Sequence, residues 1–541
     1  MLAYGTSAII MFILAYFYLP VFNLSFFSLY LFISLFLVIS GLVLIGPSRK
    51  TISIPNIAKT QFSIVGFIIL LTIIIGFAFG SPIFRASAYH NLIGDVAESE
   101  FSADISPVST KDVRLVDRGT AIRLGEKKIG EVPGLGSIAK LGIFNIQNVD
   151  GQLYWVAPLV HQSFIKWITN LDGCTGYIMV SATNPQDVRF VQTINNEPIN
   201  IIYQPEAYLE QDLARHIYLN GNFTQGLTDF TFEINDSGEP YWVVTLYTNK
   251  IGFNGANATG VVTVHAQSGE VNKYTIEDAP AWIDRIQPDN FIFDQLYNWG
   301  IYVDGFFNAV FGQQNVLVPT AGISLVYGSD GNSYWYTGMT SAGADEATVG
   351  FVLTNTRTKE TKFYKQPGAT EIAAQRSAEG KVQEKGYIAT EPIMYNVSGI
   401  PTYVMSLLDK AGLIKMVAFV SVEDYSILGV GETTEEALRN YKSALASTGN
   451  DITIGSSVNS VTLYGVITRL NMDVQNGDTY YYLMLDSAPD KIFISTSNIS
   501  SELPLSREGD DVSLSFDDYG ESLNNLTTFD NLDLSISLLN Q

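Results

Sequence analysis

Few side chains in this sequence have the types and spacing that catalysis or metal binding requires. Cys174, the only cysteine, could act as a nucleophile, although a lone cysteine near a strand is more often buried and inert. Ser341 and Ser377 have no histidine near them in the sequence, but a Ser–His–Asp triad is assembled in space. The four histidines are scattered without the spacing of zinc ligands: His90, His161, His216 and His265. The sequence therefore predicts no catalytic, cofactor-binding or metal-binding residue.

Two groups of aspartates could also support chemistry. Asp150, Asp236 and Asp330 stand beside glycines, as calcium ligands can, but the twelve-residue spacing that ends in glutamate is missing. They are better interpreted as turn residues. A second set lies along an aromatic-rich segment, where paired carboxylates would need a geometry that spacing does not give, so a solvated helix face is the preferred interpretation. Its members are Asp284, Asp294 and Asp304.

Three Tyr-Trp pairs recur at similar positions in the chain and could line a carbohydrate or peptide groove. Aromatic residues on a strand beside a turn are more often part of a hydrophobic core, and we expect that role here. The pairs are Tyr154-Trp155, Tyr241-Trp242 and Tyr334-Trp335.

Composition narrows the possible classes of function. The formal net charge is -23 and the pI is near 4.5, so the chain repels phosphate backbones and no nucleic-acid partner is expected. A single cysteine cannot form an intrachain disulfide, so the domains must be stable through packing. The length of 541 residues indicates two to four domains, and 47% hydrophobic residues exclude a disordered chain.

Three apolar runs without charged residues open the sequence, at residues 2–19, 21–45 and 62–83. Each is close to the roughly 20 residues that a helix needs to cross a bilayer, so we expect all three to contact lipid. The N-terminus lacks the basic residues of a cleaved signal peptide, which favours retained helices. The alternative is a helical hairpin buried in a soluble core.

The charges between these runs predict an orientation. The connection 46–61 contains Arg49, Lys50 and Lys59 and no acid, so the positive-inside rule places it in the cytoplasm. The N-terminus is then cytoplasmic and residues 85–541 lie outside the cytoplasm. Arg85 opposes this orientation weakly, because long domains translocate regardless of charge. The expected location is the cell (plasma) membrane, with a multi-pass topology.

A strand–turn–strand pattern recurs four times after residue 141. Each copy has a turn glycine, then an aromatic strand, then a second apolar strand after a polar break. The glycines are Gly151, Gly238, Gly331 and Gly399, spaced by 87, 93 and 68 residues. This spacing is too long and uneven for a solenoid, and it favours four α+β modules.

Helices are expected around these copies. Helical spacing of apolar residues appears at residues 205–219, 280–311, 370–385 and 432–446, and residues 121–128 favour a short helix. Residues 111–117 alternate as a strand would. The stretch 291–311 could lie on the bilayer as an amphipathic helix, but it lacks the basic face of such helices, so core packing is expected.

The second copy resembles a PepSY-type module, in which a strand pair ends in a V-x-A-x-T/S-G-E-V turn. The matching residues are Val264, Ala266, Ser268, Gly269, Glu270 and Val271. More broadly, residues 112–431 resemble a family of large bacterial and phage-encoded membrane proteins with PepSY-like repeats, in runs such as GYIMVSATNP, PAWIDRIQP and PTYVMSLLDKAGLIK. That family is loosely labelled cell-shape-determining or DNA-binding. The resemblance implies an architecture and an envelope location, and it carries over no catalytic residue.

The C-terminal residues 457–541 form a separate β-rich segment. Strands are expected at 461–470, 479–485, 491–495, 512–516 and 532–538, with a hairpin turn at Asn476-Gly477. Five short strands in this pattern look like a small OB-like barrel. Such barrels often bind single-stranded nucleic acid through a basic groove, but this segment has three basic and thirteen acidic residues. A protein contact or a structural cap is therefore expected.

The predicted fold class is N-terminal transmembrane α-helices, an α+β region of repeated antiparallel-sheet (PepSY-like) modules, and a C-terminal all-β OB-like barrel. The expected domains are a three-helix membrane anchor at 1–84, a linker at 85–140, two pairs of modules at 141–275 and 276–446, and the barrel at 457–541. The expected function is that of an envelope protein whose outer region is a non-enzymatic scaffold or regulatory binding surface for a protein partner or a second copy. The alternatives are an envelope hydrolase acting on peptide or cell-wall polymer, and a phage-encoded membrane or assembly protein.

Overall fold

The computed structural model describes residues 2–45, 55–101, 105, 113–320, 322–328, 331–341, 347–447, 460–475, 478–497, 499–518 and 522–534. Three apolar helices come first, four larger antiparallel sheets with helices between them follow, and a closed barrel comes last. The α-helices of these residues are α1 Leu2–Tyr18, α2 Phe27–Ile45, α3 Asn56–Ile74, α4 Pro82–His90, α5 Arg118–Gly130, α6 Leu135–Ile138, α7 Phe164–Ile168, α8 Leu213–Leu219, α9 Asp289–Ile301, α10 Gly305–Phe307, α11 Glu371–Lys381 and α12 Thr434–Ser447.

Two of the N-terminal helices are long and apolar enough to cross a membrane, at Phe27–Ile45 and Asn56–Phe79. The first helix, α1, is also apolar but has 17 residues. The third helix begins before the predicted residue 62 and ends in a π turn at Ile75–Phe79. A new helix, α4, then starts with Pro82, because proline fits the first turn of a helix, where no N–H partner is needed.

The meanders of the four sheets are antiparallel and follow one another along the chain, and the third sheet also includes the earlier strand Val96–Ser99, which pairs in parallel. The first sheet contains Ala139–Leu141, Asn145–Val149, Gln152–His161, Tyr177–Ser181 and Val188–Val191. The second sheet contains Gly226–Ile234, Pro240–Ile251, Asn254–His265 and Val271–Tyr274. The third contains Val96–Ser99, Leu317–Pro319, Ser324–Tyr327, Ser333–Ser341, Gly350–Asn355 and Thr361–Tyr364. The fourth contains Ile388–Ala389, Ile393–Val397, Ile400–Leu408, Ile414–Ser421 and Leu428–Gly431.

Every sheet contains a four-strand meander, and a turn glycine precedes its second strand. The four predicted turn glycines all have positive φ, which costs glycine little because it has no Cβ: Gly151 (78°), Gly238 (80°), Gly331 (78°) and Gly399 (80°). Asp150 and Ser398 also have positive φ, of 52° and 55°. The first and fourth sheets therefore have two-residue turns of type I′, whose twist matches that of the strands.

A helix precedes each meander in the chain: α5, α8, α9 and α11. The aromatic residue four positions after each turn glycine donates a hydrogen bond to the segment just before that helix. Three indole N–H groups donate to backbone carbonyls: Trp155 to Val116 at 2.8 Å, Trp242 to Tyr203 at 2.7 Å and Trp335 to Gln287 at 2.8 Å. In the fourth sheet, the Tyr403 hydroxyl donates to the Ala369 carbonyl at 3.2 Å. These four side chains and Tyr154 are buried, so the expected core role is confirmed for them. Tyr241 and Tyr334 are only half-buried and Tyr334 lines a groove, so the core role is confirmed in full only for the pair Tyr154-Trp155.

Backbone hydrogen bonds fix the same segments. In the first sheet, the N–H groups of Leu115 and Val116 both donate to the carbonyl of Ala182, at 2.9 Å. Ala182 directly follows the third strand of the meander. The corresponding acceptors in the other sheets are Ala266, Thr356 and Val422. Each helix is thus placed by a direct connection to its own sheet.

The four sheets pack in the spatial order second, first, third and fourth. Each neighbouring pair shares a hydrophobic core. Tyr154 and Val156 of the first sheet pack into one core with Trp242 of the second. Trp155, on the opposite face of the first sheet, shares a core with Trp335 of the third. A further core joins the third and fourth sheets, and helix α12 covers the outer face of the fourth.

Several predicted elements differ from the structure. The α-helix predicted at residues 205–219 starts only at Leu213, where the Asp212 side chain caps it by accepting the Arg215 N–H at 2.8 Å, and Leu209–Gln211 form a short 3-10 helix. Of the predicted helix 280–311, residues 280–288 are not helical, Asp289–Ile301 are helical, and the helix is broken after Ile301, where Gly305 has a φ of 83°. Residues 113–117 form no strand, and the rest of the predicted strand 111–117 lies outside the described residues.

The strand Val96–Ser99 was not predicted. It adds to the edge of the third sheet by pairing in parallel with Thr361–Tyr364. The residues expected to be a linker thus contribute a strand to a sheet formed more than 200 residues later. Such a pairing leaves no local signature, because a short edge strand of mixed polarity resembles a loop in the sequence.

The C-terminal barrel closes in the order Ser460–Gln475, Asp478–Leu485, Ala488–Thr496, Leu523–Asn531 and Asp511–Asp517. Four of the expected strands are confirmed. The fifth was placed too late: the strand is Leu523–Asn531, and residues 535–538 lie outside the described residues. The turn Asn476-Gly477 is also outside them, but the strands that it would join are paired up to Gln475 and Asp478.

Candidate functional site

A groove of about 1230 Å³ lies where the turn ends of the first, third and fourth sheets meet. Small-molecule pockets usually enclose about 300–1,000 Å³, so this groove is large enough for an extended segment of a partner. Tyrosine and asparagine side chains from all three sheets line it, and both types suit adaptable contacts with a polypeptide. They include Tyr327, Tyr334, Tyr395, Asn148, Asn184 and Asn396.

The arginines of the groove hold its walls in place. Arg114 donates from Nη1 to the carbonyl of Leu325 at 3.2 Å, and its backbone N–H donates to the Tyr395 hydroxyl at 3.0 Å. Arg357 donates to the carbonyls of Ala279 at 2.8 Å and Pro280 at 2.9 Å. These two arginines therefore serve the structure of the groove. Its lining also includes the charged residues Asp187, Glu360 and Lys362 beside amide and hydroxyl groups.

The structure brings together two residues that the sequence separates, since Sγ of Cys174 lies 3.5 Å from Nδ1 of His161. Both side chains are buried, at 2% and 1% exposure. Burial raises the pKa of Cys174 to about 12 and lowers the pKa of His161. A nucleophilic cysteine needs the opposite shift, toward a thiolate beside a cationic imidazole. At neutral pH this pair is therefore a neutral contact in the core.

The buried thiol leads to a prediction about its reactivity. Iodoacetamide at about pH 8 is expected to leave Cys174 unmodified in the folded protein and to alkylate it after denaturation, because the raised pKa lowers the thiolate fraction by about 10³. Mass spectrometry of the intact chain measures the modification. The control is Ser237→Cys, which puts a thiol on an exposed turn and should react at once. Rapid alkylation of the folded wild type would show that Cys174 is an accessible nucleophile.

The other histidines and serines make local contacts. His90 Nδ1 lies 2.7 Å from the Trp299 carbonyl, and His216 Nε2 lies 2.7 Å from the Gly269 carbonyl. His265 Nδ1 accepts the N–H groups of Gln267 and Ser268, which form the turn after its strand. The hydroxyl of Ser377 donates to the carbonyl of Tyr425 at 2.6 Å. No hydrogen bond joins Ser341 or Ser377 to a histidine in the described part of the chain.

The aspartates beside turns occupy the turns that were predicted for them. Asp150 has a positive φ in its hairpin, and Asp236 lies in the turn closed by the Gly238 N–H and the Asn235 carbonyl at 2.8 Å. Asp330 lies outside the described residues. In the second set, Asp284 belongs to a buried polar cluster and Asp304 is exposed on the surface, so the predicted solvated face is wrong for Asp284.

The polar cluster around Asp284 lies at the junction of the first three sheets. The Asp284 carboxylate accepts the Tyr327 hydroxyl at 3.0 Å and the Asn148 N–H at 2.7 Å. Nearby Glu233 is only 1% exposed and accepts the Thr231 hydroxyl at 2.9 Å, while its Oε2 has no hydrogen-bond partner among the described residues. Burial, reinforced by the charge of Asp284, raises the pKa of Glu233 to about 8. Glu233 is therefore largely protonated at neutral pH.

Sequence reasoning missed this cluster because the strand Gly226–Ile234 alternates as though one face were exposed to water. Phe232 and Ile234 pack into the core shared with the first sheet. Thr231 and Glu233 point to the opposite face, which the segment 279–286 covers through contacts with Val243 and Val261. The run of apolar residues in that segment, Ala279 to Ile286, was the available signal.

The second sheet packs against the ends of the N-terminal helices. The connection between α1 and α2 bonds to the segment just before this sheet through the Phe22 N–H and the Phe223 carbonyl at 2.8 Å. It bonds to the sheet itself through the Asn249 side chain and the Ser25 carbonyl at 3.0 Å. The Arg215 guanidinium beside the sheet donates to the last turn of α1 at 3.0 Å. Gly252 of this region also lies against Gly80, which follows the third helix. The end of α1, the start of α2 and the end of the third helix therefore all lie against the second sheet and the residues beside it.

Comparisons with known proteins add no family. No protein-family model matches the chain, and no curated protein matches it. Among solved structures, a variant of the Synechocystis apocarotenoid oxygenase is 9% identical with a TM-score of 0.14, over 53% of this chain and 48% of that one. A Bacteroides ovatus protein described as a hydrolase is 11% identical with a TM-score of 0.18, over 63% and 78%.

A variant of Bacillus subtilis levansucrase is 10% identical with a TM-score of 0.19, over 78% of this chain and 96% of that one. The chain spans about half the length of the oxygenase that it matches. All three TM-scores are too low for these likenesses to carry an argument about this protein.

Proposed function

We propose that this protein is a membrane-anchored envelope protein whose β-rich region is a non-enzymatic scaffold or regulatory binding surface. The observation that carries this proposal is the seating of the second sheet on three helix ends. A sheet fixed in this way cannot swing freely from its anchor, so the four packed sheets are held in a constant position relative to the helices. A fixed orientation of this kind suits a protein that presents a binding surface to a partner.

In this proposal all three apolar helices cross the plasma membrane. The basic connection 46–61 is cytoplasmic, and residues 85–541 lie outside the cytoplasm. The uncharged connection between α1 and α2 supports this orientation, because it faces the second sheet and contains no basic residue. The four meanders support the PepSY-like interpretation, and the closed five-strand barrel supports the OB-like one.

The groove between the first, third and fourth sheets is the proposed binding surface, and a segment of a protein partner or of a second copy is its proposed ligand. Its tyrosines offer rigid contact area, and the exposed side chain of Asn184 offers an amide group to an extended backbone. The strong net negative charge disfavours a nucleic-acid ligand. The alternative of an envelope hydrolase is favoured only by the Cys174–His161 contact, which burial makes unreactive.

A membrane-impermeant crosslinker added to intact cells tests location and binding together. The wild-type chain is expected to form a crosslinked species, and the paired substitutions Asn184→Arg and Thr358→Arg, on exposed positions of the groove, should abolish it. The control is Ser237→Arg, on an exposed turn outside the groove, which should keep it. A C-terminal tag protected from external protease would contradict the orientation. Equal crosslinking in all variants would contradict the groove.

A further inference from the structure

We propose that the β-rich region carries two apolar patches that insert into the bilayer interface beside the helices. This inference rests on the proposed membrane anchoring and adds a contact surface that lies outside the spans. The occupant to which we commit is the lipid bilayer. Both patches adjoin a helix end that is already at the membrane boundary in that proposal.

The first apolar patch comprises Phe307, Val310 and Phe311 together with Ile83 and Phe84. Phe311 is 79% exposed and Phe307 is 68% exposed, and their rings stack with centroids 6.5 Å apart. Their segment, residues 305–316, contains no charged residue. Exposure of two large aromatic side chains to water is energetically unfavourable. Exposed apolar surface of this kind marks an interaction site.

The first patch is continuous with the third membrane helix. Phe84 in α4 contacts Phe77 in the last turn of that helix, with ring centroids 5.8 Å apart. Helix α4 starts two residues after Gly80 and packs against α10, which contains Phe307. A bilayer that surrounds Phe77 therefore reaches Phe84 and, through it, the aromatic pair at Phe307 and Phe311.

The second apolar patch comprises Phe164, Ile165, Ile168, Tyr208 and Leu209. Ile165 is 63% exposed, and the other four are also exposed. The rings of Phe164 and Tyr208 meet edge to face at 5.1 Å, which joins α7 to the loop before α8.

The side chain of Arg215 connects the second patch to the end of α1. Its Nη1 donates to the Leu209 carbonyl at 2.6 Å, and its Nε donates to the Tyr16 carbonyl at 3.0 Å. The same guanidinium lies over the Tyr16 ring, 4.6 Å from its centroid. The patches therefore adjoin two different helices, α1 and the third helix. The β-rich region thus contacts the membrane at two separate places.

Site-directed spin labelling in lipid nanodiscs tests the proposal with the full chain. In a Cys174→Ala background, nitroxides at Phe311→Cys and Ile165→Cys are expected to collide severalfold more with oxygen, and severalfold less with a nickel chelate, than a nitroxide at Ser237→Cys. Ser237 is the aqueous control, because it lies at the far end of the twelve-residue strand whose other end contacts Ser25, about 35 Å away. Leu70→Cys, on the exposed surface of α3, is the lipid control.

The controls separate failure of this inference from failure of the membrane anchoring. If the Leu70 label collides with oxygen while the Phe311 and Ile165 labels resemble Ser237, the patches face water and the inference is wrong. If the Leu70 label also resembles Ser237, the anchoring itself is wrong. Low collision with both reagents at Phe311 would show that a protein, such as a second copy, covers the patch, and this would overturn the lipid assignment.

Discussion

Replacing Glu233 by glutamine is expected to remove a pH dependence of about 3–5 kcal/mol from the free energy of unfolding. Above about pH 8 the Glu233→Gln variant should be more stable than the wild type by this amount, and near pH 5 the two should be equally stable. The cause is the nearly complete burial of a carboxyl group that has one oxygen without a hydrogen-bond partner among the residues that the structure describes.

The sign follows from the proton balance of Glu233. Its pKa is raised from 4.5 to about 8 in the folded state, mainly by burial. Between these values the folded state keeps a proton that the unfolded state has released, so the unfolded state binds fewer protons. Stability from this group is therefore present at low pH and is lost as the pH rises from 4.5 to about 8.

Chemical unfolding in detergent, followed by tryptophan fluorescence, measures this difference. All six tryptophans precede the barrel in the sequence, so the signal reports the region around Glu233 rather than the barrel. The matched control is Glu197→Gln, at an exposed position, whose curve should run parallel to that of the wild type. Parallel curves for Glu233→Gln as well would show that Glu233 is ionised in the folded protein at neutral pH.

The meanders were predictable because their signals are local. Gly151, Gly238, Gly331 and Gly399 each need positive φ, and an aromatic strand follows each of them at a constant offset. The indole and hydroxyl hydrogen bonds made by that offset residue explain why Trp or Tyr recurs there.

Contacts between distant segments were not predictable from these patterns. The strand Val96–Ser99 pairs with residues that follow it by 265 positions, and nothing in its four residues specifies this partner. The groove likewise arises only when three sheets pack together, and Cys174 meets His161 only because the short strand Cys174–Thr175 lies beside the strand that ends at His161. For the same reason the alternating pattern of the strand Gly226–Ile234 does not reveal that the segment 279–286 covers the face of the sheet that contains Glu233.

The second large effect is expected at Lys442, where the pH dependence has the opposite sign. This lysine in α12 is 2% exposed, and its Nζ donates to the carbonyl of Leu523 in the barrel at 2.5 Å. Burial lowers its pKa from 10.5 to about 7. Above about pH 7 the folded state has released a proton that the unfolded state keeps, so stability rises with pH until about 10.5.

In the wild type, Lys442 should make the free energy of unfolding rise by about 3–5 kcal/mol between about pH 6 and about pH 10, and replacing this lysine by methionine should remove that rise. At low pH the variant gains stability, because no buried ammonium has to lose its hydration. At high pH it is less stable than the wild type by about 1 kcal/mol, because the hydrogen bond to Leu523 is lost. The sign of the effect should thus change within the accessible pH range.

Hydrogen exchange of the amides in α12 and the barrel measures this difference, because the barrel contains no tryptophan and exchange reports the stability of these elements separately. The variant and the wild type are compared at the same pH, so their intrinsic exchange rates cancel. Lys410→Met, at an exposed position, is the matched control and should give a constant ratio of exchange rates. If Lys442→Met gave a constant ratio too, Lys442 would be charged in the folded state, and its contact with the barrel would be a charge-assisted hydrogen bond to the Leu523 carbonyl.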